Sequence, residues 1–169
     1  MIAKIFTLRL WPFVALCISG GLLLGAYAFQ YIGGLDPCIM CYWQRHAHKG
    51  VLAAAGLTVI ISFFVNSRTW LRGLNALIGL AFLVSLYYAF SHVGVEHGWW
   101  EGPAACAVSP EDGLGGKSLI DVLSEPMEVV QCSDVLWSMF GLSMAGWNAL
   151  ISGLAALISF SVALKGKQS

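Results

Sequence analysis

Residues 135–164 read VLWSMFGLSMAGWNALISGLAALISFSVAL, thirty consecutive positions without a charged side chain. An α-helix needs about 20 apolar residues to cross roughly 30 Å of hydrocarbon, so this run alone is long enough to span a bilayer. Three more runs of the same kind precede it: residues 10–35, 50–67 and 73–95. The second is short, and it reaches spanning length only if its helix begins before Arg45, with the polar residues of that stretch near the interface. The chain therefore reads as an all-α integral membrane protein, a bundle of four transmembrane helices. The expected spans are about 10–32, 41–65, 73–95 and 136–164.

Composition agrees. Of 169 residues, 58% are hydrophobic and 11% are charged. Soluble domains carry about 25% charge, so these charges are too few to cover a water-soluble domain. The same hydrophobicity excludes a disordered chain. Nine basic and nine acidic residues cancel, and nucleic acid, which needs a basic face, is excluded as a partner.

The charges also orient the spans. Lys4 and Arg9 precede the first, Arg68 and Arg72 lie between the second and third, and Lys165 and Lys167 follow the fourth. Lys and Arg accumulate on the cytoplasmic side, so both termini are expected there. All nine acids, from Asp36 to Asp134, fall on the opposite side. That side carries a short loop, about 33–41, and a long one, about 96–134. Arg45, Lys49 and Lys117 are the basic residues on the outer side. Lys117 has acidic neighbours and reads as a solvated loop charge.

Ala26-Tyr27-Ala28 after Lys4, Arg9 and an apolar run has the look of a signal-peptide cleavage site. The uncharged run, however, exceeds the h-region of about 7–15 residues, and cleavage would remove one wall of the bundle. The first span is expected to be retained. No internal repeat or low-complexity tract is present, and residues 1–169 form one domain. In the long loop, residues 117–123 fit either two turns of amphipathic helix lying on the membrane or an ordinary loop turn. Trp99, Trp100 and Trp137 sit where an interfacial aromatic belt is expected.

Five cysteines carry the chemistry: Cys17, Cys38, Cys41, Cys106 and Cys132. Cys17 lies alone inside the first span and reads as a small hydrophobe. The other four fall in the two outer loops, a compartment where disulfides persist. Asp36-Pro37-Cys38-Ile39-Met40-Cys41 resembles a helix start, with Asp36 as N-cap and Pro37 as the first helical residue. Cys38 would then lie in the first turn, where exposed amides and the helix dipole favour a thiolate. A Cys-x-x-Cys by itself fits a redox pair, half a zinc site or a structural bridge. It does not fit c-type haem attachment, because Tyr42 follows Cys41. Context favours redox chemistry. Arg45 lies one helical turn below Cys41 on the same face, where a cation holds a thiolate and stabilises charge on an electron acceptor. An arginine inside a span costs up to about 2.5–3.5 kcal/mol at the centre and marks a functional site by default. The bland alternative is an arginine snorkelling to the headgroups. Cys106 and Cys132 fit either a structural bridge, worth about 3–4 kcal/mol on the chain-entropy view, or one station of a thiol relay.

These features together resemble the DsbB family of bacterial membrane disulfide-generating proteins. The resemblance covers nearly the whole chain. It rests on four spans, on Pro37-Cys38-Ile39-Met40-Cys41 with Gln44-Arg45, on the second cysteine pair, and on Trp137, Phe140-Gly141-Leu142, Met144 and Trp147. It implies an inner-membrane protein-disulfide:quinone oxidoreductase with its active cysteines facing the periplasm. It implies redox-active disulfides Cys38–Cys41 and Cys106–Cys132. A reduced DsbA-like dithiol protein would attack at Cys106. Released Cys132 would attack Cys38, and Cys41 would be left as a thiolate facing a membrane quinone, ubiquinone or menaquinone, beside Arg45. His97 resembles a family histidine near the quinone. Met144 either walls the quinone site or simply packs. His46, His48 and His92 are expected at the interface, and no metal ligands are assigned.

Other functional classes fit parts of the pattern. A haem-binding electron carrier would use His46, His48, His92 and His97, all near the outer ends of spans two and three. A structural four-span protein leaves Arg45 and the Cys38–Cys41 pair without a purpose. A quinone reductase of the vitamin K epoxide reductase type carries its Cys-x-x-Cys at a late span, whereas here the pair follows the first.

Overall fold

The structure is a computed structural model that describes residues 7–103 and 131–167. Its helices are α1 (Trp11–Tyr31), α2 (Ile39–Phe64), α3 (Arg68–Glu96) and α4 (Met144–Lys165). All four are long and apolar enough to cross a membrane. A two-stranded hairpin, β1 (Ser138–Met139) and β2 (Leu142–Ser143), precedes α4.

Three residues join α2 to α3, so these helices are antiparallel neighbours. α3 packs closely along both α2 and α4, while α1 packs along α2 and meets α3 and α4 only sparsely. The core explains the closeness. Ala15, Val51, Ala55, Ile78, Phe82, Ala155 and Ala156 form its centre. Between helices in lipid, small residues let backbones approach and dispersion does the rest. Gly79 illustrates this: a Cβ there would lie 3.0 Å from the Phe160 ring. Leu24, Phe63, Phe64, Tyr87 and Leu157 are exposed on the outside, where hydrocarbon is their solvent.

The end carrying Arg9, Arg68 and Arg72 is tied together by polar bonds. Arg72 donates to the carbonyls of Ala163, at 2.6 Å, and Leu164. Arg68 donates to the carbonyl of Gly166 at 3.3 Å. Arg72 thus satisfies two orphan carbonyls at the negative end of α4, and Arg68 holds the carbonyl of its C-cap. Trp11 Nε1 donates to Ser159 Oγ at 2.9 Å, joining α1 to α4 inside the core.

Three element boundaries depart from the sequence reading. The fourth helix starts at Met144, not near 136, because residues 138–143 fold back as the hairpin. Its two turn residues, Phe140 and Gly141, both have positive φ, 53° and 78°, as the favoured two-residue hairpin turn requires. Hydropathy cannot distinguish an apolar hairpin from an apolar helix. The third helix takes in Arg68 and Arg72, whose charges reach the end of α4. The second helix begins at Ile39, and its N-cap is Cys38, not Asp36. Pro37 disfavours helical geometry at the residue before it. Cys38 is extended (φ −70°, ψ 169°), and its sulfur accepts from Cys41 N–H. The segment 117–123 lies outside the described residues.

Candidate redox site

The opening left between α1 and α4 is a cavity of about 370 Å³. Its walls include Leu22, Leu23 and Phe29 of α1, Cys41, Gln44, Arg45 and His48 of α2, and His92 and Glu96 of α3. Met144, Asn148 and Ile151 of α4 close it, with Cys38 at its outer end.

Cys38 and Cys41 stand here as two thiols with their sulfurs 3.3 Å apart. Cys38 is buried. The Cys41 thiol donates a hydrogen bond to Cys38 Sγ and is the largest influence holding the Cys38 thiol down, to about 4. Burial opposes this, while His92 and the Cys41 N–H add to it. A sulfur that caps a helix and accepts two or more hydrogen bonds is stabilised as an anion.

Arg45 does not snorkel. Its side chain is buried and anchored to α1: Nη1 donates to Gln30 Oε1 at 2.5 Å and Nη2 to the Ala26 carbonyl at 3.1 Å. The guanidinium lies 5.0 Å from the Tyr27 ring centre and 5.4 Å from that of Tyr42. Its Nε is buried and has no hydrogen-bond partner among the described residues. Lys49, by contrast, is exposed.

Behind the cysteines runs a buried polar chain across all four helices. His92 Nε2 lies 3.5 Å from Cys38 Sγ and 3.2 Å from the Cys132 carbonyl oxygen. Gln44 Nε2 donates to His92 Nδ1 at 2.8 Å. Asn148 Nδ2 donates to Gln44 Oε1 at 2.6 Å. Asn148 Oδ1 pairs with His48 Nε2 at 2.8 Å and accepts from Ser152 Oγ at 3.0 Å. His48 Nδ1 pairs with Ser19 Oγ at 2.9 Å. Such bonds replace the water that buried polar groups lose.

The structure therefore gathers Cys38, Cys41, Arg45 and Met144 around one cavity. Cys132 is buried in a cluster with Cys38, Met40 and Val95, and its sulfur is in a disulfide. Cys106 lies outside the described residues. His97 goes elsewhere: it is the C-cap of α3, exposed, and stacked on Trp99 at 5.4 Å. His92 and His48, expected at the interface, are instead buried in the polar chain. The signal for His92 was its spacing, seven residues after Ser85 and three after Ala89, which continues the buried stripe of α3. Both ring nitrogens of His48 are engaged, and His46 is exposed with Nδ1 beside the Tyr42 carbonyl. That geometry gives no facing histidine pair for haem. Trp137 is half-buried at the cavity wall, against Phe29 at 5.0 Å. Cys38, Cys41 and His92 offer donor atoms within 4.8 Å of one another, a set that suits a thiophilic cation as well as thiol exchange.

The chain matches the family model described as disulfide bond formation protein DsbB over residues 8–162. It is 35% identical over 154 residues to disulfide bond formation protein B of Mannheimia succiniciproducens, covering 85% of this chain and 81% of that protein. With the protein of the same name from Marinobacter nauticus the identity is 28% over 161 residues, 92% of each chain. With that of Pasteurella multocida it is 33% over 148 residues, 85% of this chain and 79% of the other. No solved structure matches the chain.

Proposed function

The chain belongs to the DsbB family of disulfide bond formation proteins, and on that premise we propose that it re-oxidises a periplasmic DsbA-like dithiol protein and delivers the electrons to a membrane quinone. Disulfide formation by a multi-pass membrane oxidoreductase follows from the family and the four spans. The thiol partner, the quinone, the site residues and the periplasmic orientation belong to the proposal.

The observation that carries it is the single cavity shared by Cys41 and Arg45, with Cys38 packed beside Cys132 at its outer end. The residues fit a quinone head. The walls are mostly apolar, and Arg45 is held by α1 with one buried N–H, on Nε, unbonded among the described residues. A quinone bound there supplies a two-electron, two-proton acceptor.

The thiol chemistry balances as pure exchange. A thiolate of the partner attacks Cys106, the Cys106–Cys132 bond breaks, and Cys132 leaves as thiolate. Cys132 attacks Cys38, the Cys38–Cys41 bond breaks, and the electron pair rests on Cys41 at the cavity. The partner's second thiol closes its own disulfide and releases Cys106. Cys106 then attacks Cys132, and Cys38 leaves as thiolate. The loop disulfide is restored, and the Cys38–Cys41 pair holds two electrons. Arg45 stabilises negative charge at the cavity, Met144 helps to wall it, and the apolar lining excludes water.

The test is turnover of purified protein with a reduced DsbA-like dithiol and ubiquinone-1 or a menaquinone analogue. Dithiol loss and quinone loss are expected in equal amounts. Dithiol oxidation without quinone consumption would overturn the reading.

A further inference from the structure

The His92 ring lies within hydrogen-bond distance of both cysteine systems. Its Nε2 faces Cys38 Sγ at 3.5 Å and the Cys132 carbonyl at 3.2 Å. The other nitrogen settles which atom carries the proton. Gln44 Nε2 lies 2.8 Å from Nδ1 and also donates to the Met40 carbonyl at 3.4 Å. That carbonyl can only accept, so a flipped Gln44 amide would set oxygen against oxygen. On the far side Gln44 Oε1 accepts from Asn148 Nδ2, and Ser152 Oγ donates to Asn148 Oδ1. The Met40 carbonyl thus sets the sense of the Gln44 amide, and the Asn148 amide follows it. Nδ1 must accept, and the neutral ring carries its proton on Nε2, pointing at Cys38 and at Cys132. The partner of one ring nitrogen sets the tautomer at the other.

We propose that His92 is a catalytic residue of the exchange between the two cysteine pairs, and that Gln44 is its positioning residue. Its Nε2–H hydrogen-bonds Cys38 Sγ when that sulfur carries the electron pair, and its bond to the Cys132 carbonyl seats Cys132 over Cys38. When Cys106 attacks Cys132, the Cys132–Cys38 bond breaks and both electrons go to Cys38. The N–H stabilises that thiolate without transferring its proton. Arg45 serves the cavity side of the pair and His92 the loop side. This deepens the relay proposed above and rests on it.

Around His92 and Cys38, the titratable groups lining the cavity are Cys41, Arg45 and His48 of α2, Glu96 of α3, and Asp36 and Asp134 of the flanking segments. α1 and α4 line it with none. Glu96 Oε1 lies 3.9 Å from the same Nε2, while Oε2 accepts from Ser143. Glu96 therefore does not orient the ring from Nδ1 as a triad carboxylate would.

The first test needs neither quinone nor partner. In full-length protein with Cys17→Ala, Cys41→Ser, Cys106→Ser and Cys132→Ser, Cys38 is the remaining thiol, and its iodoacetamide alkylation is followed against pH. His92→Phe should move the profile to higher pH and slow alkylation near pH 6 by about 10- to 100-fold, the value of one hydrogen bond to a charged group. His92→Gln, which can still donate, should recover much of the rate, and Gln44→Leu should fall between. Superimposed profiles for His92 and His92→Phe would overturn the proposal, and this outcome is independent of whether quinone is the acceptor. The second test uses protein with all its cysteines, the reduced DsbA-like dithiol and ubiquinone-1. His92→Phe should accumulate the Cys38–Cys132 bridge, seen by non-reducing peptide mapping, with kcat lowered and the KM for quinone little changed. A raised KM without the bridge would place His92 at the quinone and overturn the assignment. If the starting protein consumes no quinone, the relay falls while the alkylation profiles still judge the hydrogen bond.

Discussion

Arg45 Nη1 lies 2.5 Å from Gln30 Oε1, so the cation one turn below Cys41 is held by α1, the helix that packs least against the rest of the bundle. The contact turns a long flexible side chain into a fixed charge on the cavity wall. An arginine that spends its donors on Gln30 and the Ala26 carbonyl cannot reach the headgroups.

Arg45→Met keeps bulk and removes the charge. Quinone-dependent turnover should fall by about 10- to 100-fold, as expected for losing a charge-assisted interaction of about 1.5–3 kcal/mol, with a raised KM for quinone. Thiol exchange with the partner at Cys106 should change little. Arg45→Lys should rescue only in part, since the planar fork is lost. Initial rates over a range of quinone concentrations, with folding checked by thermal melting, decide this. Unaltered quinone kinetics would leave Arg45 a structural anchor.

The two cysteine pairs should separate. Replacing Cys106 and Cys132 by Ser should abolish oxidation of the partner. The chemically reduced Cys38–Cys41 pair should still be re-oxidised by quinone, as followed by thiol counting. Loss of both activities together would mean that the pairs are not successive stations.

Cys38 sets a pH window. Its thiol is lowered from 9.0 to about 4, so the folded reduced protein favours the thiolate more than the unfolded chain does. That contribution to stability is full above the unfolded value, near 9, shrinks as pH falls, and is lost below about 4. The reduced protein should therefore gain stability over its Cys38→Ala variant as pH rises from about 4. Paired thermal melts across that range, under reducing conditions, measure the difference. A constant gap would contradict the stabilised thiolate.

Among the described glycines, Gly94 has the least room for a side chain. A Cβ there would lie 1.9 Å from the Trp100 ring, whose Nε1 donates to the Ser91 carbonyl at 2.9 Å. Gly94→Ala must displace the indole and break that bond. A cost of about 1–3 kcal/mol is expected for such overpacking, with a shift in tryptophan emission. An unshifted emission and melting temperature would show that the ring packs elsewhere.

Orientation is testable with a membrane-impermeant thiol reagent. Reduced Cys106 and Cys132 should react in intact spheroplasts. Labelling only after the membrane is broken would reverse the topology drawn from Arg9, Arg68, Arg72 and the outer acids.

The amino-acid sequence by itself determined the membrane class, the four spans, the place of Cys38 and Cys41 together at a helix start, and the place of Arg45 one turn further along the same helix. These follow from one-dimensional quantities: the length of uncharged runs, the sidedness of Lys and Arg, and the spacing of residues along one helix. Tertiary structure decided what depends on a neighbour. Residues 138–143 became a hairpin because Phe140 and Gly141 adopt positive φ, which hydropathy does not encode. Cys38, and not Asp36, became the cap because Pro37 keeps the preceding residue out of the helix. Above all, the surroundings of His92 and His97 depended on how α3 is rotated against α2 and α4. One turn near a helix end separates a ring stacked on an exposed tryptophan from a ring enclosed by Gln44, Cys38 and Cys132. That rotation is set by small residues packing between helices, and it carries no charge or hydropathy signature of its own.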